Sequence, residues 1–112
     1  MNNRVTKINK HLQRVFGKIL QEEADLPADV LVTIARVEAA ANLKSATIWL
    51  YVNPSSAAQD VLADLKTQMY ELQGSLNRAL DLQPLPRISL RIDHGAEHTA
   101  KINKRLNELG EL

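Results

Sequence analysis

The chain has 112 residues, enough for one domain and too few for two independent cores. Apolar residues make up 45% and mean hydropathy is −0.24, the balance of a soluble globular chain and not of a disordered one. The absence of cysteine excludes disulfides, zinc knuckles, thiol nucleophiles and iron–sulfur clusters, and a net charge of +1 by itself says little about partners.

The first segment predicts a helix over residues 3–23. Val5, Ile8, Leu12, Val15, Phe16, Ile19 and Leu20 recur at steps of three and four, the pattern of one buried face. Pro27 lies beyond its expected end, because proline cannot donate into a continuing helix. Two extended runs follow. Residues 30–38 (VLVTIARVE) are rich in β-branched side chains. In residues 43–53 Ala46, Ile48, Leu50 and Val52 alternate with Ser45, Thr47, Trp49 and Tyr51, so one set faces a core and the other faces away. The short link between the runs predicts a hairpin.

Ser56 and Gln59 stand at capping-box spacing before a second helical stripe of Val61, Leu62, Leu65, Met69, Leu72, Leu76 and Leu80. Gly74 lies within that stripe, where glycine costs about 1 kcal/mol against alanine, and a bend or a close backbone contact is expected there. Pro84 and Pro86 end the helix. Residues 87–93 (RISLRID) predict a strand, and a last helix is expected over 96–109 on Ile102, Leu106 and Leu109. The chain therefore reads as a single α+β domain with its core at about 4–109, a three-stranded sheet and helices packed on one face. The order α-β-β-α-bend-α-β-α is that of a type II KH-like domain, although the usual Gly-X-X-Gly clamp for RNA backbone is missing.

Charge is unevenly placed. Residues 1–20 hold Arg4, Lys7, Lys10, Arg14 and Lys18 with no acid, whereas residues 21–81 carry an acidic excess. Five cations on one helix suit RNA phosphates, and a solvated helix face is the plainer alternative. Lys101, Lys104 and Arg105 extend the same field if the terminal helices lie side by side. Gly74, with Asn77 and Arg78 a turn later, suits a phosphate held by freed amides at a helix restart, or else a close helix contact. Trp49, Tyr51, Arg87 and Arg91 are expected on the uncovered sheet face, either to stack on bases or as cross-strand pairs. His94 and His98 are four apart, but Gly95 falls between them, and no third metal ligand is readable. No nucleophile–base pair and no glycine-rich phosphate loop is present, so the sequence calls for no enzyme and no cofactor.

Several of these stretches resemble the bacterial ribosome-binding factor A family. They are Val32-Thr33-Ile34 with Arg36-Val37-Glu38, Asn42-Leu43 at the turn, and Ala46-Thr47-Ile48-Trp49-Leu50 on the return strand. Ile19-Leu20-Gln21-Glu22-Glu23 with Pro27, and Asp93 with Ile102 and Leu106, agree in order and spacing. The family's Ala-X-Gly kink stands here as Leu72-Gln73-Gly74, and its turn aspartate as Asn42. The resemblance implies a non-enzymatic factor for the small (30S) ribosomal subunit. Such a factor binds 16S rRNA, assists late maturation and 5′-end processing, and supports growth in the cold. It further implies RNA contacts at Arg4, Lys7, Lys10, Arg14, Lys18, Gly74 and Arg78, with Lys101, Lys104 and Arg105 in support. A cytoplasmic protein, monomeric when free and without a membrane partner, is the accompanying expectation. The alternative is a protein–protein interaction module that does not touch RNA.

Overall fold

A computed structural model describes residues 3–81 and 85–94. The first helix, α1 (Asn3–Glu23), buries Ile8, Leu12, Phe16, Ile19 and Leu20, and Val5 and Val15 pack at the margin of the core. It ends as expected ahead of Pro27, with the Ala24 amide donating to the Leu20 carbonyl. Strands β1 (Leu31–Ala39) and β2 (Ser45–Asn53) form an antiparallel hairpin, and β3 (Arg87–Ile92) pairs in parallel on the far side of β2. The sheet order is β1-β2-β3, with the second helix, α2 (Ala58–Ala79), as the crossover from β2 to β3.

Both helices cover one face of the sheet. Ala46, Ile48, Leu50 and Val52 of β2, Ile88 and Leu90 of β3, and Val37 of β1 are buried with the apolar stripes of α1 and of α2, namely Val61, Leu65, Leu72 and Leu76. Each large side chain fully buried here, such as Phe16 or Leu50, contributes about 1.5–3 kcal/mol by leaving water. Polar ties fix how the layers meet. The Gln73 amide donates to the Pro86 carbonyl at 2.9 Å and accepts from the Ile88 amide at 2.9 Å, clamping α2 to the start of β3. Gln68 makes the matching tie to the backbone N–H and C=O of Asp25, after α1.

The hairpin turn is built on Leu43, whose φ of 61° is costly for a branched side chain. Burial of Leu43 and an Asx contact from the Lys44 amide to Asn42 Oδ1 at 3.0 Å offset that cost. Within β1, Ile34 opposes Leu50 and Arg36 opposes Trp49, so Ala35 is an extra residue in a β-bulge. The bulge reverses the alternation. Val32 and Ile34 lean inward before it, and Val37 and Ala39 lean inward after it, which sends Arg36 to the outer face.

Two local expectations change. The capping box does not form: Ser55–Ala57 is a 3-10 turn, and Ala57, which has no side-chain cap, precedes α2. Gly74 does not divide the helix, since Ala58–Ala79 is one continuous element. Leu72 and Leu76 are buried on either side of Gly74, and their packing outweighs the local propensity cost of about 1 kcal/mol. The expected last helix over 96–109 lies outside the described residues.

Candidate nucleic-acid interface

Helix α1 turns its apolar stripe to the sheet and to α2, which leaves Arg4, Lys7, Lys10, Arg14 and Lys18 together on the opposite, exposed face. They follow at steps of three or four residues and cover about 21 Å of helix. None of the five lies in a salt bridge with a carboxylate of the described residues. Among the described residues Arg14 contacts His11, at 2.8 Å.

The helix carries these charges against its own stability. Its first turn holds no acid and its last turn no base, while Arg4 sits at the start and Glu22 and Glu23 at the end. A macrodipole favours the reverse, by about 0.3–1 kcal/mol for each well-placed charge. Like-charge neighbours at i,i+3 and i,i+4 each cost a further 0.2–0.5 kcal/mol or so. Such a face is better suited to holding external anions than to supporting the helix.

A second group of cations lies on the outer sheet face. Arg36, Trp49 and Arg91 form one transverse row across β1, β2 and β3. The Arg36 guanidinium lies 3.9 Å from the centre of the Trp49 ring and 3.7 Å from Glu38. Tyr51 follows Trp49 on the same face, and Arg87 lies exposed at the start of β3. Sequence reasoning placed Trp49, Tyr51, Arg87 and Arg91 there but missed Arg36. Its signal was the break in alternation between Ile34 and Val37.

Gly74 opens onto a groove whose lining includes Glu23, Tyr70, Asn77, Arg78 and Arg87. Arg78 folds back on its own helix, donating to Ser75 Oγ at 3.1 Å, while Ser75 donates to Glu23. Among the described residues, a Cβ at Gly74 would meet only the Arg78 guanidinium, at 3.4 Å. Because α2 continues through Gly74, the restart and the freed amides expected there are not formed. The groove also mixes signs, since Glu23 and Glu71 share it with the arginines. Gly74 and Arg78 lie beside the end of α1 through the Glu23 contact. Lys18 is therefore the nearest of the α1 cations along the helix, and Arg4 is about 28 Å from Glu23. Lys101, Lys104, Arg105 and His98 lie outside the described residues.

This architecture and order of elements match those of known proteins. A sequence model of the family described as ribosome-binding factor A matches residues 4–106. The chain belongs to the ribosome-binding factor A family. Ribosome-binding factor A of Bdellovibrio bacteriovorus is 26% identical over 107 residues, covering 95% of this chain and 80% of the relative. The crystal structure of ribosome-binding factor A from Thermus thermophilus superposes with a TM-score of 0.68 at 17% identity, over 79% of this chain and 93% of that one. A homology model of the Thermus thermophilus factor, fitted into a cryo-EM map of a 30S–factor complex, gives 0.61 at 19% identity, over 76% of this chain and 90% of that one. The α+β, KH-like fold is that of ribosome-binding factor A, with a mixed three-stranded sheet covered by helices on one face. A member of this family is a ribosome-binding factor, and no helix among the described residues is long and apolar enough to cross a membrane.

Proposed function

We propose that this chain binds the immature small (30S) ribosomal subunit through 16S rRNA, acts without catalysis, and assists late maturation of the subunit and processing of the rRNA 5′ end. The observation that carries the reading is the exposed face of α1, five cations charged against the stability of their own helix and unpaired with any described carboxylate. The fitting of a Thermus relative into a map of its 30S complex supports the choice of subunit.

The mechanism is differential binding. A factor that holds one conformation of an rRNA segment better than its competitors shifts the population toward that conformation, by no more than the difference in affinity. RNA helices rearrange more slowly in the cold, so the same contact supports growth at low temperature. The chain acts as a cytoplasmic monomer, on free subunits, and leaves before translation.

Co-sedimentation on sucrose gradients tests the reading. The protein is expected to travel with free small subunits and precursor particles at low salt and to be stripped at high salt. Lys7→Glu/Arg14→Glu should remain at the top of the gradient while keeping its helical circular dichroism. Retention of that variant on the particles at every salt concentration would remove α1 from the interface.

A further inference from the structure

We propose that the outer face of the sheet is a second RNA-binding surface, one that takes a single-stranded segment by stacking bases on Trp49 and Tyr51 among arginines. The inference rests on the reading of the chain as an rRNA-binding factor and adds a surface that α1 does not contain.

The Arg36–Trp49–Arg91 row places a planar guanidinium on an indole, with a second arginine on the other flank. Guanidinium is weakly hydrated and stacks on rings with either face, so Arg36 extends the indole platform for an incoming base. Trp49 and Tyr51 are two residues apart on one strand, about 6.7 Å, which spaces two neighbouring bases along β2. Arg87 and Arg91 stand about 13 Å apart along β3, at the rim, where they meet the backbone. Thr33 beside Tyr51, and Thr47 and Ser89 beside Trp49, are short hydroxyl side chains, which let bases approach and offer hydrogen bonds to sugar and phosphate.

Charge decides the class of partner. Arg36, Arg87 and Arg91 share the face with Glu38, whose carboxylate Arg36 already engages at 3.7 Å. Three arginines against one glutamate leave this part of the face cationic. The large aliphatic side chain of β1 that is openly exposed here, Leu31, stands at the far corner of the hairpin, away from Trp49. A protein-docking face would instead centre on a desolvated apolar cluster. Stacking platforms set among cations are how single strands are held without sequence reading. Both described helices lie on the opposite face, so among the described residues nothing covers this one.

Trp49 is the only tryptophan in the chain, which makes its emission a direct reporter. Titration with an oligouridine of about ten nucleotides, long enough for one such site, is expected to quench it. The exposed-site variants Tyr51→Ala and Arg91→Glu should each weaken that binding by about tenfold, within the roughly 5- to 150-fold range of base–aromatic stacking. Trp49→Ala should weaken it at least as much, and thermal melting of all three checks that the fold is kept. Three results would overturn the proposal. If the oligonucleotide binds by anisotropy without quenching and is lost only in Lys7→Glu/Arg14→Glu, the sheet face is idle and the rRNA reading stands. If Arg91→Glu weakens association with subunits while its affinity for naked RNA is unchanged and Trp49 is unquenched, the face meets protein. If neither surface binds oligonucleotide or an rRNA fragment, both readings fail.

Discussion

Reversing Lys7 and Arg14 together should stabilise the protein while weakening its hold on RNA. In the native sequence Arg4–Lys7, Lys7–Lys10, Lys10–Arg14 and Arg14–Lys18 are like-charge neighbours at i,i+3 or i,i+4. Lys7→Glu/Arg14→Glu makes the row alternate in sign, so every one of these pairs turns from repulsive to attractive. At about 0.2–0.5 kcal/mol for each sense, the swing is roughly 0.4–1 kcal/mol per pair before screening. Solvent and salt reduce that sum, and losing the Arg14–His11 contact takes back a little more, which leaves a gain of about 1 kcal/mol. A domain of this size should then melt about 4–8 °C higher at low salt.

Binding moves the other way. Five phosphate contacts predict a slope of log K on log salt of about −3.5 to −4.5, or roughly 130- to 500-fold between 50 and 200 mM. Losing two contacts flattens the slope by about 1.4–1.8. Thermal melting and fluorescence anisotropy with small subunits, both across a salt series, supply the two readouts. A higher melting temperature with an unchanged salt slope would show that RNA does not use this face. A lower melting temperature would refute the charge-pair reasoning itself.

Gly74→Ala should stabilise the protein by about 0.5–1 kcal/mol, because the position is helical and the new methyl meets only the mobile end of Arg78. Chemical denaturation checks this, and loss of stability would mean that Gly74 answers to a backbone need the continuous helix does not reveal. Gln73→Ala should cost about 1–3 kcal/mol, since it leaves the Ile88 amide and the Pro86 carbonyl without their partner; a cost under 0.5 kcal/mol would show that water replaces the clamp. Deleting Ala35 takes out the extra residue of the bulge and leaves Ile34 opposite Leu50, Arg36 opposite Trp49 and Val37 opposite Ile48, so the inward set stays in phase with the core. Unfolding should therefore remain cooperative in thermal melting, and loss of the cooperative transition would refute the register assignment.

The elements were legible wherever periodicity was strong and continuous. α1 could be bounded because its apolar steps run unbroken from Val5 to Leu20, with Pro27 beyond. β2 and β3 alternate without interruption, so their faces were readable. Legibility failed where tertiary packing overrides a local signal. Gly74 suggests a helix restart by propensity, yet the buried Leu72 and Leu76 keep α2 one continuous helix through it. Ser56 has capping-box spacing to Gln59, but Ser56 is spent in a 3-10 turn and makes no cap to α2. The bulge was written in the sequence as a change of phase, Val32 and Ile34 and then Val37 and Ala39. A β-branched-rich run masked it, so Arg36 was never placed over Trp49. The α1 cations could be named from spacing alone. The mixing of Arg78 with Glu23 could not, because the two are 55 positions apart and meet only when α2 docks on the end of α1.

The two cationic surfaces lie back to back. α1 sits on the inner face of the sheet with its cations pointing away from it, while Arg36, Trp49 and Arg91 occupy the outer face. One flat RNA duplex cannot touch both. A domain that holds RNA on both therefore bridges two segments and fixes the distance between them at the thickness of a helix and a sheet. Neither surface needs high affinity for this. Once α1 has engaged its phosphates, the second contact becomes intramolecular and is governed by effective concentration. It forms only in RNA conformations that bring the second segment within reach. The discrimination between conformers then comes from the geometry of the bridge, and a domain without a Gly-X-X-Gly backbone clamp can still favour one fold of the RNA.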